Sequence, residues 1–378
     1  MKVTLHNSCF AYLAKHLASE SLIEEVRTQA INAWKNRGKD EFSTRIIVNI
    51  PSQYGQKYRF FTVSPYANRK DLYQQITDQI VEALEQGTMP WQRPWDNGWP
   101  QMAIPCNGES GRQYSGINVL LLWMSAMRKN FTQRKWVTFQ GANHLGGQVR
   151  TGEKSTVIIF YKQNMFEEKD DNGNVVLDEN GEPKMKSSVF IRGHHVFNIE
   201  QCNGLEKYYE EFLEPEKSSE MQPRPDLDVL PNKMGMQLYN KAQDRACYIP
   251  RKDCIVMPDF KKFNTSDDYY ATLLHECGHA TGHKDRLNRD GVAKFDKFGS
   301  SKYAFEELIA ELTSAFTCAH VNVRNDISQN AAYIEYWIKA LKADKKAIFR
   351  VSSQAREATQ FLLNALESAL PEKEKLAA

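Results

Sequence analysis

Five consecutive residues, His275-Glu276-Cys277-Gly278-His279, carry the sharpest chemical signal in the chain. In a helix, residues i and i+4 share a face, so both imidazoles can reach one ion while Glu276, one step round, reaches a water at that ion. Two neutral imidazoles suit Zn2+ or another divalent transition metal. A hydrolytic site also needs a third protein ligand and one coordination position left for solvent. Glu307 and Glu311 stand at i, i+4 in a segment whose Leu308, Ile309, Ala310, Leu312 and Phe316 are apolar, so carboxylates there need a reason. The reading is Glu307 as the ligand and Glu311 as the group that holds a ligating histidine. Asp285 is the alternative third ligand: Gly282 and Asp285 complete H-E-x-x-H-x-x-G-x-x-D, a spacing in which a reversal at Gly returns the next side chain to the metal. His283 shares the helix face but lies about 12 Å along the axis from His275 if the helix continues, too far for the same ion. The chemistry predicted is hydrolysis of a peptide bond, with Glu276 as general base and then general acid.

These residues need two helices to position them. The pattern predicts one over Tyr269–His279, with Ser266 as its N-cap and Asp267 and Asp268 in the first turn, where carboxylates suit the helix dipole. A second runs over Tyr303–Cys318, and two further helical patterns centre on Trp337 and Phe361. A strand at Asp253–Met257, bounded by Pro250 and Pro258, is read as the sheet edge along which an extended peptide adds.

A different chemistry concentrates earlier in the chain. Residues 67–165 hold 11 Lys/Arg against 7 Asp/Glu and five of the seven tryptophans. Cations that follow phosphates and rings that stack on bases are what single-stranded nucleic acid requires. Trp91, Trp95 and Trp99, with Arg93 among them, are read as the exposed rings, and Lys135, Trp136, Arg150 and Lys154 as further contacts; Trp123 is read as core. The stretch Gly147 to Ser155 looks like a phosphate loop, but Glu153 stands where Lys must follow Gly and a strand follows in place of a helix, which excludes nucleotide hydrolysis.

The elements around these motifs predict an α+β protein. Residues 1–66 read as a small α+β extension, with a helix opening at Ser21-Leu-Ile-Glu24 and strands at Arg45–Ile50 and Tyr58–Val63. Residues 67–212 read as an α+β nucleic-acid-binding domain: helices before Gly87 and over Asn118–Lys129, then strands at Val157–Lys162 and Val189–Phe197 flanking an acidic insertion, Glu167 to Pro183. That insertion fails as a calcium loop, because counting from Asp170 puts Val175 where Gly is required. The proline-rich stretch 213–231 reads as a linker, and residues 232–378 as a mostly helical domain with a small sheet. Across 378 residues the net charge is only +2, so polyanion binding must be local. The longest apolar run is far short of the roughly 20 residues a membrane span needs, and the N-terminus has no apolar export core, so a cytoplasmic protein is expected. Seven scattered cysteines without a C-x-x-C pair point to reduced thiols.

Several of these motifs together carry a family resemblance. Pro90-Trp91 through Trp95, Gly111-Arg-Gln-Tyr-Ser-Gly-Ile-Asn118 and Gly146-Gly147-Gln148-Val149-Arg150 resemble the N-terminal domain of ArdC antirestriction proteins, which also occurs in TraC-type primases. Tyr270 to His279 and Glu306 to Leu312 are similar to the zincin-like metallopeptidase domain of the same family. The resemblance covers about residues 68–378 and implies single-stranded DNA binding, with Arg112, Tyr114 and Asn118 among the contacts. It also implies a metal-dependent peptidase fold, carriage on a plasmid or phage, and protection of entering DNA from restriction. Two alternatives follow from the same residues: a protease recruited by DNA to cleave host proteins met there, or a DNA-coating protein whose metal only stabilises the fold. Residues 1–66 and the acidic insertion lie outside the family's usual pattern.

Overall fold

The computed structural model of the chain describes residues 44–50, 57–63, 71–92, 103–168, 170, 174–178, 181–210, 221–293, 301–325 and 331–368. The helix expected from Ser21, and Arg93, Trp95 and Trp99, lie outside the described residues. Two strands, β1 (Thr44–Ile50) and β2 (Lys57–Val63), pair antiparallel in register Thr44 to Val63 through Ile50 to Lys57. They belong to a unit separate from residues Tyr73–Ala378.

In the larger unit, α1 (Leu72–Glu85) buries Ile76, Ile80, Val81 and Leu84 at helical spacing. Helix α2 (Ile117–Lys129) is apolar nearly all round and correspondingly buried, from Ile117 to Ser125; Arg128 and Lys129 fill its last turn and Asn130 ends it at φ 57°. A four-stranded sheet of order β3-β4-β7-β6 packs beside it, formed by β3 (Cys106–Asn107), β4 (Lys135–Val137), β6 (Thr156–Glu167) and β7 (Met185–Asn198). The β6–β7 hairpin is longer than the alternation in the sequence suggests, pairing continuously from Thr156 with Val196 to Glu167 with Met185. Short helix α3 (Phe139–His144) is capped by Thr138, and β5 (Gln148–Val149) pairs with β8 (Cys202–Asn203).

Within the 213–231 stretch, α4 (Pro225–Asp228) and α5 (Leu230–Lys233) form because Pro225 and Pro231 sit in first helical turns, where the missing N–H costs nothing. Their Leu227 and Leu230 are buried in a core with Tyr270, Leu273, Leu274 and Leu362, so packing starts before residue 231. A three-stranded sheet of order β10-β11-β9 follows: β9 (Gln237–Lys241), β10 (Cys247–Ile249) and β11 (Cys254–Pro258). The expected sheet edge at Asp253–Met257 is not an edge, since β11 is the central strand, buried at all five positions and paired on both sides; the edges are β9 and β10, the latter only three residues long. Helix α6 (Ser266–Ala280) lies against this sheet; α7 (Asp290–Ala293) leads to α8 (Ser301–Val321), which packs on α6 and α7 and carries α9 (Ala331–Ala343) and α10 (Ala347–Glu367). The architecture is α+β. Among the described residues Cys106, Cys202, Cys247, Cys254, Cys277 and Cys318 are free thiols, and no described helix is long and apolar enough to cross a membrane.

Candidate metal centre and nucleic-acid surface

Helix α6 starts one residue earlier than the sequence suggests. Thr265, not Ser266, is the N-cap: its hydroxyl accepts from Asp268 N at 3.1 Å, and the Asp268 carboxylate accepts from Thr265 N at 3.1 Å. Ser266 instead accepts the Gln222 backbone N–H at 2.6 Å. Three turns on, Gly278 lets α8 approach closely, for a Cβ there would lie 3.3 Å from the backbone of Ala310. This close approach sets the Glu307 and Glu311 face of α8 opposite His275 and His279.

The ligand atoms of His275, His279 and Glu307 lie within 4.8 Å of one another. His275 Nε2 is 3.7 Å from Glu307 Oε2, and His279 Nε2 is 3.6 Å from Glu307 Oε1. Ligands about 2.0–2.1 Å from a tetrahedral ion are roughly 3.3 Å apart, so small shifts of side chains close the set on a cation. Each imidazole presents its other nitrogen to a second carboxylate: His275 Nδ1 is 3.2 Å from Glu311 Oε1, and His279 Nδ1 is 3.5 Å from Glu306 Oε1. Burial opposes protonation of both rings, but the facing carboxylates outweigh it and raise both pKa values. Two imidazoles and a carboxylate, oriented by further carboxylates from behind, are the donor chemistry a divalent transition metal takes.

Asp285 is not with them. The chain does reverse after α6, but Asp285 is exposed and stands 3.5 Å from His283 Nδ1. Buried Glu276 lines the same cleft, and its Oε2 accepts the Tyr248 backbone N–H of edge strand β10 at 2.6 Å. The cleft has a volume of about 820 Å3 and is also lined by Arg245, Tyr248 and Tyr333.

Two groups that shape this centre escaped the sequence reading. Buried Arg289 donates to Glu306 (Nε to Oε2, 3.0 Å), to Thr281 Oγ1 at 2.6 Å and to the Gly278 carbonyl at 2.8 Å. Burial pushes the Glu306 pKa up, and Arg289 more than reverses the effect, keeping the carboxylate charged behind His279. Arg286 donates to the Ala280 carbonyl at 2.6 Å and to Asp253 Oδ2 at 3.0 Å, tying the end of α6 to the β10–β11 turn. Glu306 beside Glu307 was the visible signal; nothing local marked the arginines, whose partners lie 17 and 33 residues away in sequence.

The residues expected to contact nucleic acid divide into three groups. Trp91 and Trp136 are corrected to core residues, 0% and 1% exposed. Trp91 packs edge-on to Trp337 with centroids 5.8 Å apart, and Trp136 joins Leu122, Ile158 and Val196. Asn118 and Lys135 are engaged within the fold, whereas Arg150 is exposed and makes a surface pair with a glutamate three residues on. Asn118 pairs through its amide with both backbone groups of Ile159, at 2.8 and 2.7 Å. Lys135 donates to Tyr208 O and meets Glu210 at 3.2 Å, and Arg150 meets Glu153 at 2.7 Å. Arg112 and Lys154 are exposed, and Tyr114 is half-buried.

Residues 70–197 match the N-terminal domain of anti-restriction factor ArdC, and residues 225–354 match a zincin-like metallopeptidase family. The antirestriction ArdC protein from plasmid R388 is 35% identical in its metal-free structure, with TM-score 0.65, covering 80% of this chain and 100% of that one. Its Mn(II)-bound structure gives 34% identity and TM-score 0.62, over the same shares of the two chains. The uncharacterized protein y4eC of Sinorhizobium fredii is 33% identical over 77% of this chain and 91% of its own length. An Escherichia coli DNA primase TraC is 36% identical over 78% of this chain, which spans only 20% of that primase.

Proposed function

The chain belongs to the ArdC antirestriction family, and from that premise we propose that its first half binds single-stranded DNA while its second half is a zinc-dependent peptidase. The observation that carries the hydrolytic reading is the convergence of His275, His279 and Glu307 in a cleft that also holds Glu276. The first-half reading is supported by the match to the ArdC N-terminal domain and by the likeness to a primase.

His275, His279 and Glu307 would hold the cation, with Glu311 and Glu306 orienting the two rings. A divalent cation there supplies Lewis-acid chemistry, polarising a peptide carbonyl and making water more acidic. Glu276 takes the proton from the attacking water and delivers it to the departing amine. The Tyr248 N–H holds one oxygen of that carboxylate in place. The free side of β10 offers backbone groups along which an extended peptide can lie. In the cell the protein protects entering DNA from restriction.

Casein hydrolysis, single-stranded DNA binding and protection of unmodified incoming DNA are measured for the parent and for Glu276→Gln. Hydrolysis falls by about 10^2–10^4-fold, the contribution of a general base, and protection falls with it, while metal uptake and DNA binding persist. Unchanged hydrolysis in the variant, or a parent that takes up no divalent metal, sinks the peptidase reading. Full protection by a variant without hydrolysis shows that protection does not depend on the peptidase.

A further inference from the structure

With Trp91 and Trp136 in the core and Lys135 paired with Glu210, exposed Arg112, Arg150 and Lys154 have no exposed tryptophan beside them among the described residues, and an open aromatic ring flanked by basic groups is found on another surface. The β6–β7 ribbon is that surface in composition. Neither Thr156–Phe166 nor Met185–Asn198 contains an Asp or Glu, although the chain holds 47 acidic residues against 49 basic ones. The register places Phe160 opposite Arg192 and Ile158 opposite His194, so Phe160, Arg192 and His194 share one face. Phe160 is 51% exposed, with its ring centroid 4.6 Å from that of His194. Arg192 is exposed and has no ion pair among the described residues. Along the same face the period of two brings up exposed Phe166, opposite Lys186, about 20 Å further on at roughly 3.3 Å per residue. Acidic groups begin only there, where Glu168 pairs with Lys184 and Lys186, each at 3.2 Å.

We propose that this face of the β6–β7 ribbon is where single-stranded DNA stacks, with Phe160 as the base platform, Arg192 and His194 beside it for the phosphates, and the acidic end of the ribbon marking the limit of the track. The proposal rests on the DNA-binding reading of the first half and names the surface responsible. An open ring flanked by a guanidinium and an imidazole fits single strands, whose bases are free to stack and whose phosphates can accept from both groups. A duplex keeps its bases in the stack and offers Phe160 nothing.

The test uses the full chain and fluorescein-labelled oligothymidylate, with anisotropy read over a range of salt concentrations. Phe160→Ala weakens binding by about fivefold to a hundredfold, the effect of losing one base stack, and Phe160→Trp restores it. Arg192→Ala lowers the slope of log K against log salt by about 0.7, one phosphate contact on a single strand. Both side chains are exposed, and thermal melts of the variants matching the parent show that the fold is intact. If the parent binds and both variants bind equally well with the parental slope, the ribbon is not the site and its exposed rings serve a protein partner. If the parent itself does not bind at low salt, the DNA reading fails and this proposal with it.

Discussion

Both histidines of the candidate metal centre face carboxylates from both ring nitrogens, one toward Glu307 and the other toward Glu311 or Glu306. A carboxylate behind a ligating imidazole fixes its tautomer and orientation, and removing one costs about 10- to 100-fold in metal affinity. Glu311→Gln therefore weakens binding of a divalent cation by that factor in a competition titration against a chelating dye, with little change in the melt of the metal-free protein; unchanged affinity would show that Glu311 does not orient the ring. Glu306→Gln behaves differently, because it also strands buried Arg289, a loss of about 3–5 kcal/mol in the metal-free protein. Asp253 gives a pH signature. Burial works against its ionisation, but Arg286 and the Tyr248 hydroxyl hold the carboxyl below the ordinary range. Its contribution to stability is thus present above the unfolded pKa of about 4 and is lost as pH falls through the lower folded value. Asp253→Asn retains a residue that accepts φ 46°. The variant is less stable than the parent at neutral pH, and the gap narrows below about pH 4; a gap constant with pH would remove the charge from the explanation.

The pairing of α6 with α8 decides whether the three ligands meet. In an exposed helix, Gly→Ala gains about 1 kcal/mol of helix propensity. At Gly278 the new methyl meets the Ala310 backbone and Thr313 Cβ, each at 3.3 Å, and backbone cannot swing aside as a side chain can. Overpacking of this kind costs about 1–3 kcal/mol, so it outweighs the propensity gain. Gly278→Ala is expected to lower the melting temperature and to reduce the further rise that added Zn2+ produces, since the ligands face each other across this contact. A more stable variant with parental metal response would show that the helices have slack there. Edge strand β10 acts at the same scale: three residues bring one backbone N–H to Glu276, a contact that no periodicity in so short a segment announces.

Taken as one body, residues 73–378 join the half that matches the ArdC N-terminal domain to the half that matches the zincin-like family through aromatic contacts. Trp91 meets Trp337, Trp123 meets Phe316 with centroids 5.7 Å apart, Tyr73 meets Phe349 at 4.7 Å, and Thr77 donates to the Lys345 carbonyl at 2.8 Å. Phe316 stands on α8, the helix that carries Glu306, Glu307 and Glu311. Trp91→Ala leaves a cavity at this junction and lowers stability by about 3–5 kcal/mol. Denaturation followed by tryptophan fluorescence and by release of bound metal is expected to give coincident transitions in parent and variant. Separate transitions in the parent would mean that the halves fold independently.

Helical spacing alone placed His275, Glu276 and His279 on adjoining faces, and the apolar company of Glu307 and Glu311 marked both carboxylates as unusual, because periodicity is a property of the chain itself. The choice between Glu307 and Asp285 as neighbour of the histidines belonged to the approach of two helices at Gly278, which spacing along one helix does not contain. Composition likewise located the basic, aromatic half but not its free surface. Whether Trp91 or Trp136 is open to solvent depends on which distant element covers it, and whether Lys135 is free depends on Glu210 arriving from 75 residues further along the chain. Burial and charge pairing are relations between segments, so only the folded arrangement decided them.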